Sequence, residues 1–144
     1  MFLGEYQHTL DAKGRLSLPV KFRNQLAGSY VVVQGIEKCL YLFAPAAFEE
    51  FLARLTAQTD FGSDLRTARR HFAAHAKDDD LDSAGRISIP AKLREWASLE
   101  RDVTIIGNGN RVEIWDSGAW EAYNKAAESR IEEVTSKLAE LGIL

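Results

Sequence analysis

The feature that most constrains the fold of this chain is an internal repeat. Residues 11–23 (DAKGRLSLPVKFR) align with residues 82–94 (DSAGRISIPAKLR), and seven of the thirteen positions are identical at an offset of 71. The similarity continues beyond this motif, because residues 31–35 match residues 103–107 after a one-residue insertion. Self-similarity at a fixed spacing is typical of proteins built from repeated supersecondary units. The sequence therefore predicts two copies of one unit rather than two unrelated domains.

Each copy is predicted to begin with a tight turn, a short strand and a short helix. In the Asp-x-x-Gly-Arg pattern the aspartate can accept hydrogen bonds from the backbone that follows, and the glycine permits a positive φ. Polar and apolar residues alternate after the glycine in both copies, which predicts a half-buried strand. Pro19 and Pro90 end that strand and suit the first turn of a helix. This helix carries two cations in each copy, namely Lys21, Arg23, Lys92 and Arg94.

A hairpin is predicted after this helix in both copies. Its strands span 30–34 and 39–43 in the first copy and 103–106 and 111–115 in the second, where Asn108-Gly109 is a strong hairpin signal. One repeat has too few strands to bury its apolar face alone, so the two copies are expected to share a sheet. Sharing would place the two Asp-x-x-Gly-Arg turns close to a pseudo-twofold axis.

Helices are predicted to follow each hairpin and to join the two copies. The apolar spacing indicates helices over 45–58, 63–75 and 117–141, the middle one with Ser63 as its N-cap. The chain is therefore predicted to be an α+β protein. Its predicted organisation is a first repeat with its helix over 1–60, a linking helix over 61–77 and a second repeat with a C-terminal helix over 78–144.

Charge is distributed unevenly along the chain. The 18 basic and 21 acidic residues give a net charge of −3, which by itself does not indicate a nucleic-acid-binding protein. Positive charge is concentrated in the two repeat motifs, with four cations and one anion over residues 11–23, and three cations and one anion over residues 82–94. Residues 112–144 carry seven acids and three bases. Paired turns with Arg15 and Arg86 would thus form a cationic edge separate from acidic helices.

Composition excludes several other classes of protein. Hydrophobic residues make up 46% and charged residues 27%, the balance of an ordinary globular protein. The apolar runs are too short for a membrane span, and the first residues lack the basic and apolar regions of a signal peptide. The single cysteine, Cys39, is expected to be a small buried side chain in a strand. We therefore expect a cytoplasmic protein without a membrane partner.

No pattern of residues indicates catalysis, a metal or a cofactor. His71 and His75 are spaced like half of a metal site, but no further ligand is indicated near them. The acidic residues over 78–82 resemble the start of a calcium loop without its glycine and final glutamate. Neither a nucleophile elbow nor a phosphate-binding loop is present. We expect a protein that is not an enzyme and needs no cofactor.

The residue types in the two turns suit DNA. Arginine presents a planar fork that can hold guanine O6 and N7, or a phosphate, through two bonds. Lysine supplies a point charge to phosphate, and glycine allows close approach of the backbone. Two alternatives remain open: Arg15 and Arg86 form only internal pairs with Asp11 and Asp82, and the helix cations belong to a solvated face.

With these motifs, the sequence resembles the MraZ family. The resemblance covers nearly the whole chain and is carried by the paired Asp-x-x-x-Arg turns, Met1-Phe2-x-Gly4, the string LDxKGR over 10–15, and Glu113-Ile114-Trp115. It implies an AbrB-like swapped-hairpin fold in which two half-repeats form one pseudo-twofold β-barrel decorated with helices. It also implies a transcriptional regulator of the bacterial division and cell-wall gene cluster, including its own operon.

The resemblance further implies the partners and the site. It implies a homo-oligomeric ring of eight or twelve subunits, associated with the nucleoid and bound to short repeated promoter boxes of double-stranded DNA. The predicted DNA-binding residues are Arg15, Lys13, Arg86, Gly14, Lys21 and Arg23. The predicted structural residues of the turns are Asp11, Asp82 and Gly85.

The two turns are not expected to contribute equally. Lys13 is matched by Ala84, and an acidic run over 78–80 precedes the second turn, so the first copy is expected to read the bases. The competing interpretation is a non-catalytic interaction or assembly protein, an antitoxin-like barrel whose arginine turns bind an acidic protein partner.

Overall fold

Strands and helices follow one another in the same order in both copies of the repeat. The computed structural model describes residues 1–57 and 62–144, and the predicted mixed α+β composition is confirmed. In chain order the elements are β1 (Phe2–Thr9), β2 (Arg15–Ser17), α1 (Val20–Leu26), β3 (Ser29–Gln34), β4 (Leu40–Phe43), α2 (Pro45–Ala57), α3 (Gly62–Ala74), β5 (Ala76–Asp80), β6 (Arg86–Ser88), α4 (Ala91–Trp96), β7 (Asp102–Gly109), β8 (Arg111–Asp116), α5 (Ser117–Glu128) and α6 (Ile131–Glu140).

The strands form a six-stranded antiparallel sheet and a separate two-stranded sheet. The large sheet has the order β1-β7-β8-β4-β3-β5, and β2 pairs only with β6 in the small sheet. Both copies therefore contribute strands to one sheet, as expected from the small size of a single repeat. In the repeat, β1 corresponds to β5, β3 to β7 and β4 to β8. The strand order is therefore the same when it is read from either edge of the sheet.

Among the described strands the large sheet is open, and the predicted closed barrel is not found. β1 and β5 lie at its two edges and are not paired with each other. β2 and β6 are three residues long and are followed within two residues by Pro19 and Pro90, which have no N–H to continue a ladder. One isolated bridge, Leu10 with Leu16, links the end of β1 to the small sheet.

Each copy exchanges its first strand with the other copy. β1 pairs with β7 along its whole length, and β5 pairs with β3. Neither strand is predicted from the sequence, because β1 includes Gly4 at a φ of +101° and β5 includes three aspartates, all poor strand formers. Pairing with a preformed hairpin of the other copy therefore decides the conformation of both segments.

The predicted hairpins are confirmed. β3 pairs with β4, and β7 pairs with β8 up to Asn108 opposite Arg111. The second hairpin is longer than predicted because Gly109, in the tight connection, adopts a φ of +74° that is accessible to glycine.

Two helix predictions are wrong in part. The single helix expected over 117–141 is two helices, α5 and α6, because Arg130 leaves the helical conformation with φ −113° and ψ 1°. Ser63 lies inside α3, which begins at Gly62, rather than at its N-cap. α2 agrees with the helix predicted over 45–58, of which Gln58 lies outside the described residues, as does the predicted boundary at 60.

The large sheet is buried on both faces. The face toward the small sheet and α1 packs on side chains such as Leu16, Phe22 and Ile87, all fully or almost fully buried. The other face packs on α2, α3 and α5 through Phe43, Trp115 and their neighbours. The small sheet therefore lies at one side of the molecule, with the two Asp-x-x-Gly-Arg turns at its ends. No helix in the described residues is long and apolar enough to cross a membrane.

Candidate nucleic-acid interface

Asp11 organises the first turn, which we define as residues 11–15. Its Oδ1 accepts hydrogen bonds from the backbone N–H groups of Lys13 at 2.9 Å and Arg15 at 2.8 Å. Its Oδ2 accepts a hydrogen bond from the Arg15 Nε at 2.6 Å. The Gly14 N–H donates to the Asp11 carbonyl at 3.0 Å, with Gly14 at a φ of +76°. One carboxylate therefore fixes both the backbone of the turn and the direction of the Arg15 side chain.

The second turn, residues 82–86, repeats this geometry. The Asp82 Oδ1 accepts from the N–H groups of Ala84 and Arg86, both at 2.9 Å, and its Oδ2 accepts from the Arg86 Nε at 2.7 Å. Gly85 has a φ of +75°. The same residue types at the same spacing thus give the same local structure in two different surroundings.

These contacts lower the pKa of both carboxyl groups. The backbone N–H of Arg15 is the largest cause of the lowered pKa of Asp11, and the Arg15 side chain and the Lys13 N–H act in the same direction. The corresponding groups of Arg86 and Ala84 lower the pKa of Asp82. Both turns therefore keep an ionised carboxylate at neutral pH, which orients the neighbouring guanidinium.

Each aspartate occupies only one nitrogen of its arginine. Within residues 1–57 and 62–144, the Nη1 and Nη2 atoms of Arg15 and Arg86 have no hydrogen-bond partner. About a third of each side chain is exposed, 33% for Arg15 and 31% for Arg86. The internal pairs considered in the sequence analysis do form. They leave two fork nitrogens of each arginine available to an external acceptor.

The pairing of β2 with β6 places both arginines on one face. Arg15 lies opposite Ser88 and Arg86 lies opposite Ser17, with Leu16 opposite Ile87 between them. Side chains alternate between the faces of a strand, so both arginines share the face opposite the fully buried Leu16 and Ile87. The structure thus brings both turns to one outward face of the small sheet.

The helix arginines lie at the turn of the other copy. Arg94 in α4 approaches the first turn so closely that a Cβ on Gly14 would lie 2.8 Å from the Arg94 Cζ. Arg23 in α1 crosses to the second turn, where its Nη1 donates to the Ala84 carbonyl at 3.3 Å. Arg23 is among the site residues predicted from the sequence, but Arg94 is not. The repeat could have indicated Arg94, because it occupies the position equivalent to Arg23.

Among the described residues, the Lys21 side chain makes no hydrogen bond or salt bridge to either turn. It is exposed on α1, and its carbonyl accepts a hydrogen bond from the Gln25 side chain at 3.3 Å. The charged residues at the first turn are Asp11, Lys13, Arg15 and Arg94.

The acidic run over 78–80 belongs to β5, the edge strand that leads into the second turn. These aspartates are exposed, and Asp80 accepts a hydrogen bond from the Ser29 hydroxyl at 2.8 Å. β1, which leads into the first turn, has a single acid, Glu5. The strand that leads into the second turn therefore carries more negative charge than the strand that leads into the first.

Glu113 and the pair His71 and His75, which the sequence also singled out, make contacts within the protein. Glu113 is 7% exposed and accepts hydrogen bonds from the side chains of Asn108, Arg111 and Trp115 at 3.0 to 3.2 Å. The His75 Nδ1 lies 2.7 Å from the His71 carbonyl. No group of three or more His, Cys, Asp or Glu residues that could hold a metal is found in the part of the chain that the structure describes.

The fold and the site define a two-copy α+β protein that presents a duplicated Asp–Arg turn. A family profile described as "MraZ protein, putative antitoxin-like" matches residues 1–70 and 72–140. The chain belongs to the MraZ family, as its motifs predicted.

Relatives of similar length support this assignment. The chain is 42% identical over 143 residues to a protein of Syntrophomonas wolfei, covering 99% of this chain and 100% of the relative. It is 39% identical to a protein of Halothermothrix orenii with the same coverage. It is 45% identical over 134 residues to a protein of Salinispora tropica, covering 93% of this chain and 94% of the relative. Each relative is named "Transcriptional regulator MraZ".

Proposed function

We propose that this protein is a sequence-specific, non-catalytic transcriptional regulator that binds double-stranded DNA through its two Asp–Arg turns. The observation that carries the proposal is the pair of aspartate-oriented arginines, Arg15 and Arg86, on one outward face of the small sheet with their Nη atoms unoccupied among the described residues. A guanidinium fixed at Nε and open at both Nη atoms is arranged for bidentate contact with guanine or phosphate. The names of the relatives support the same function.

Each site residue has a role in this proposal. Arg15 and Arg86 contact the DNA, Lys13 adds charge next to the first turn, and Gly14 lets the backbone approach. Arg23 acts at the second turn, and Lys21 adds a more distant charge on α1. The structural residues of the turns are Asp11, Asp82 and Gly85.

A pseudo-twofold, AbrB-like relation between the copies would present both turns to one stretch of duplex. Two strand pairings support it. The β2–β6 register is centred on Leu16 opposite Ile87, which are equivalent positions of the repeat, and the β4–β8 register is centred on Tyr41 opposite Glu113. The repeat units in this proposal are 1–60 and 78–144, joined by the helix in 61–77.

Self-association would compensate for weak binding by one chain. The net charge is −3, and a few phosphate contacts per chain give modest, salt-sensitive affinity. A homo-oligomeric ring, of eight or twelve subunits by family resemblance, would multiply these contacts on repeated promoter boxes. α6 supports association: it has ten residues, which is marginal for an isolated helix. Ile131 and Val134 in α6, and Leu141 directly after it, are exposed, and a second copy would cover them.

We place the target upstream of the protein's own operon in the division and cell-wall gene cluster, which would associate the protein with the nucleoid. The decisive experiment compares binding to that upstream DNA with binding to scrambled DNA of the same composition, with salt varied. Arg15→Ala and Arg86→Ala are measured in parallel, with Lys92→Ala as an exposed control on α4. We expect selective binding that Arg15→Ala abolishes, that Arg86→Ala weakens less, and that Lys92→Ala changes least.

Equal, weak binding to both DNAs that neither arginine variant changes would contradict the proposal. The second candidate, an antitoxin-like interaction protein whose turns bind an acidic partner, would then be favoured, and the family description supports that candidate. Sedimentation of Val134→Glu, compared with Ser136→Glu on the same helix, tests the assembly. Smaller particles are expected only for the first variant.

A further inference from the structure

Arg94 has an unusual environment for a charged side chain. Its Nε is buried without a hydrogen-bond partner, and its guanidinium rests against the backbone of Gly14. Within residues 1–57 and 62–144 the side chain makes neither a hydrogen bond nor a salt bridge. Arg15, at the same turn, is paired with Asp11 at 2.6 Å. The first turn therefore holds one guanidinium through a carboxylate and a second one through packing alone.

An unpaired, half-buried charge needs an explanation, because buried polar groups in proteins nearly always have partners. Among the described residues, two other buried side-chain nitrogens lack a hydrogen bond, but the side chains that carry them have other contacts. Arg111 bonds Glu113 through Nη2 and lies over the Tyr41 ring. Trp96 is covered by the Lys38 ammonium at 3.5 Å. Of the three, Arg94 is the one at a turn of the candidate interface. There its Nη1 and Nη2 atoms, which unlike Nε are not buried and have no hydrogen bond among the described residues, can meet an anion from outside.

We propose that Arg94, from the second copy, completes a DNA phosphate site at the first turn with Lys13 and Arg15. This inference rests on the proposed function and specifies how the first turn binds. The close approach of its guanidinium to Gly14 keeps Arg94 near the turn backbone, which suits a phosphate beside the turn rather than a base edge deep in a groove. Base reading is then left to Arg15, whose side chain is directed by Asp11.

The second turn lacks an equivalent site. Arg23 occupies the place of Arg94, but its guanidinium already donates to the Ala84 carbonyl. Lys13 is replaced by Ala84, and the acidic strand β5 runs directly into this turn. The first turn has three cations and one anion of its own, whereas the second has two cations, one anion and three nearby aspartates. The phosphate site should therefore belong to the first turn alone.

Phosphate contacts and base contacts affect the sequence selectivity and the salt dependence of DNA binding differently. A phosphate contact weakens binding to every sequence alike and accounts for about 0.9 of the slope of log K against log salt. The test measures affinity for matched and scrambled DNA at salt concentrations from about 0.05 to 0.2 M. The variant Arg94→Gln removes the charge and keeps most of the stem. Its matched control is Lys92→Gln, exposed on the same helix, and Arg23→Gln at the equivalent position gives the comparison with the second turn.

We expect Arg94→Gln to weaken binding to both DNAs by the same factor, to leave their ratio unchanged, and to lower the salt slope by about one per contacting subunit. Arg23→Gln and Lys92→Gln should change the slope less. A wild-type slope in Arg94→Gln would overturn the inference, as would an equal loss of slope in Arg23→Gln. A loss of selectivity for matched DNA in Arg94→Gln would overturn the phosphate assignment.

Two further measurements separate this inference from stability and from the proposed function. If Arg94→Gln lowers the melting temperature, Arg94→Lys decides: a wild-type salt slope supports a role for the charge, and a lost slope contradicts it. The proposed function fails if wild-type protein does not distinguish matched from scrambled DNA. The inference alone fails if wild type distinguishes them, Arg15→Ala does not, and Arg94→Gln behaves as wild type.

Discussion

The hydroxyl group of Tyr30 is hydrogen-bonded to both backbone groups of Ser88. It accepts a hydrogen bond from the Ser88 N–H at 2.9 Å and donates one to the Ser88 carbonyl at 3.3 Å. Tyr30 belongs to β3 of the first copy and Ser88 to β6 of the second, so this contact fixes the small sheet on the large one. It thereby positions the strand that carries Arg86.

Tyr30→Phe should destabilise the protein without emptying the core. The ring is fully buried and would stay in place, but the Ser88 N–H and carbonyl would lose their side-chain partner. We expect a loss of about 1 to 2 kcal/mol in the free energy of unfolding, measured by urea denaturation. Tyr123→Phe is the control, since Tyr123 is 46% exposed and should change the free energy little. Equal effects of the two substitutions would contradict the role given to the Tyr30 hydroxyl.

Gly14→Ala should impair both stability and DNA binding, whereas Gly109→Ala should impair stability alone. Both glycines have a φ near +75°, which costs a residue with a Cβ about 1 kcal/mol. A Cβ on Gly14 would also meet Arg94 at 2.8 Å, while one on Gly109 would meet nothing within 4 Å. Melting temperature and DNA affinity, measured on both variants, separate strain from displacement of Arg94. DNA affinity lost equally in both would refute the specific role of Gly14.

Asp11 and Asp82 should make stability depend on acid pH. The pKa of each is lowered in the folded protein from the ordinary value of 3.8, chiefly by the backbone N–H of Arg15 or Arg86. The unfolded chain therefore binds protons more readily, so this stabilisation is complete above the ordinary pKa and is lost as pH falls through the lower, folded pKa. NMR titration of the carboxyl carbons should give both values below 3.8.

Asn substitution provides the matched variant for this pH dependence. Asp11→Asn keeps an oxygen for the turn N–H groups but cannot ionise, so the stability of the variant should fall less steeply between about pH 5 and pH 2. An unchanged slope would show that the pKa of Asp11 is the same in the folded and unfolded chain.

Cys39 should be unreactive in the folded protein. It is fully buried, and burial raises the pKa of its thiol to about 12. Since the thiolate is the reactive form, a maleimide at about pH 8 should label native protein very slowly and denatured protein at once. Mass spectrometry reads the result directly, because the chain has one cysteine. Cys39 lies directly before β4, so rapid labelling under native conditions would mean that the connection between β3 and β4 opens locally.

The sequence predicted well the structures that form between residues close together in the chain. The Asp-x-x-Gly-Arg turns, the proline-started helices and the Asn-Gly hairpin depend on residues within a few positions of one another, so their backbone preferences can be read directly. The repeat also predicted that two copies share a sheet. The predicted barrel was not found, and the C-terminal helix breaks at Arg130, where no proline or glycine marks an end.

The sequence by itself thus determined which residues form each turn, since one aspartate, one glycine and one arginine satisfy each other locally. Only the tertiary structure decided which turn each helix arginine serves. Arg94 reaches Gly14 and Arg23 reaches Ala84 because β2 and β6 pair antiparallel, which sets each helix beside the turn of the opposite copy. The exchanged strands β1 and β5 likewise depend on residues far apart in the chain, because pairing with a strand of the other copy stabilises them rather than local preference.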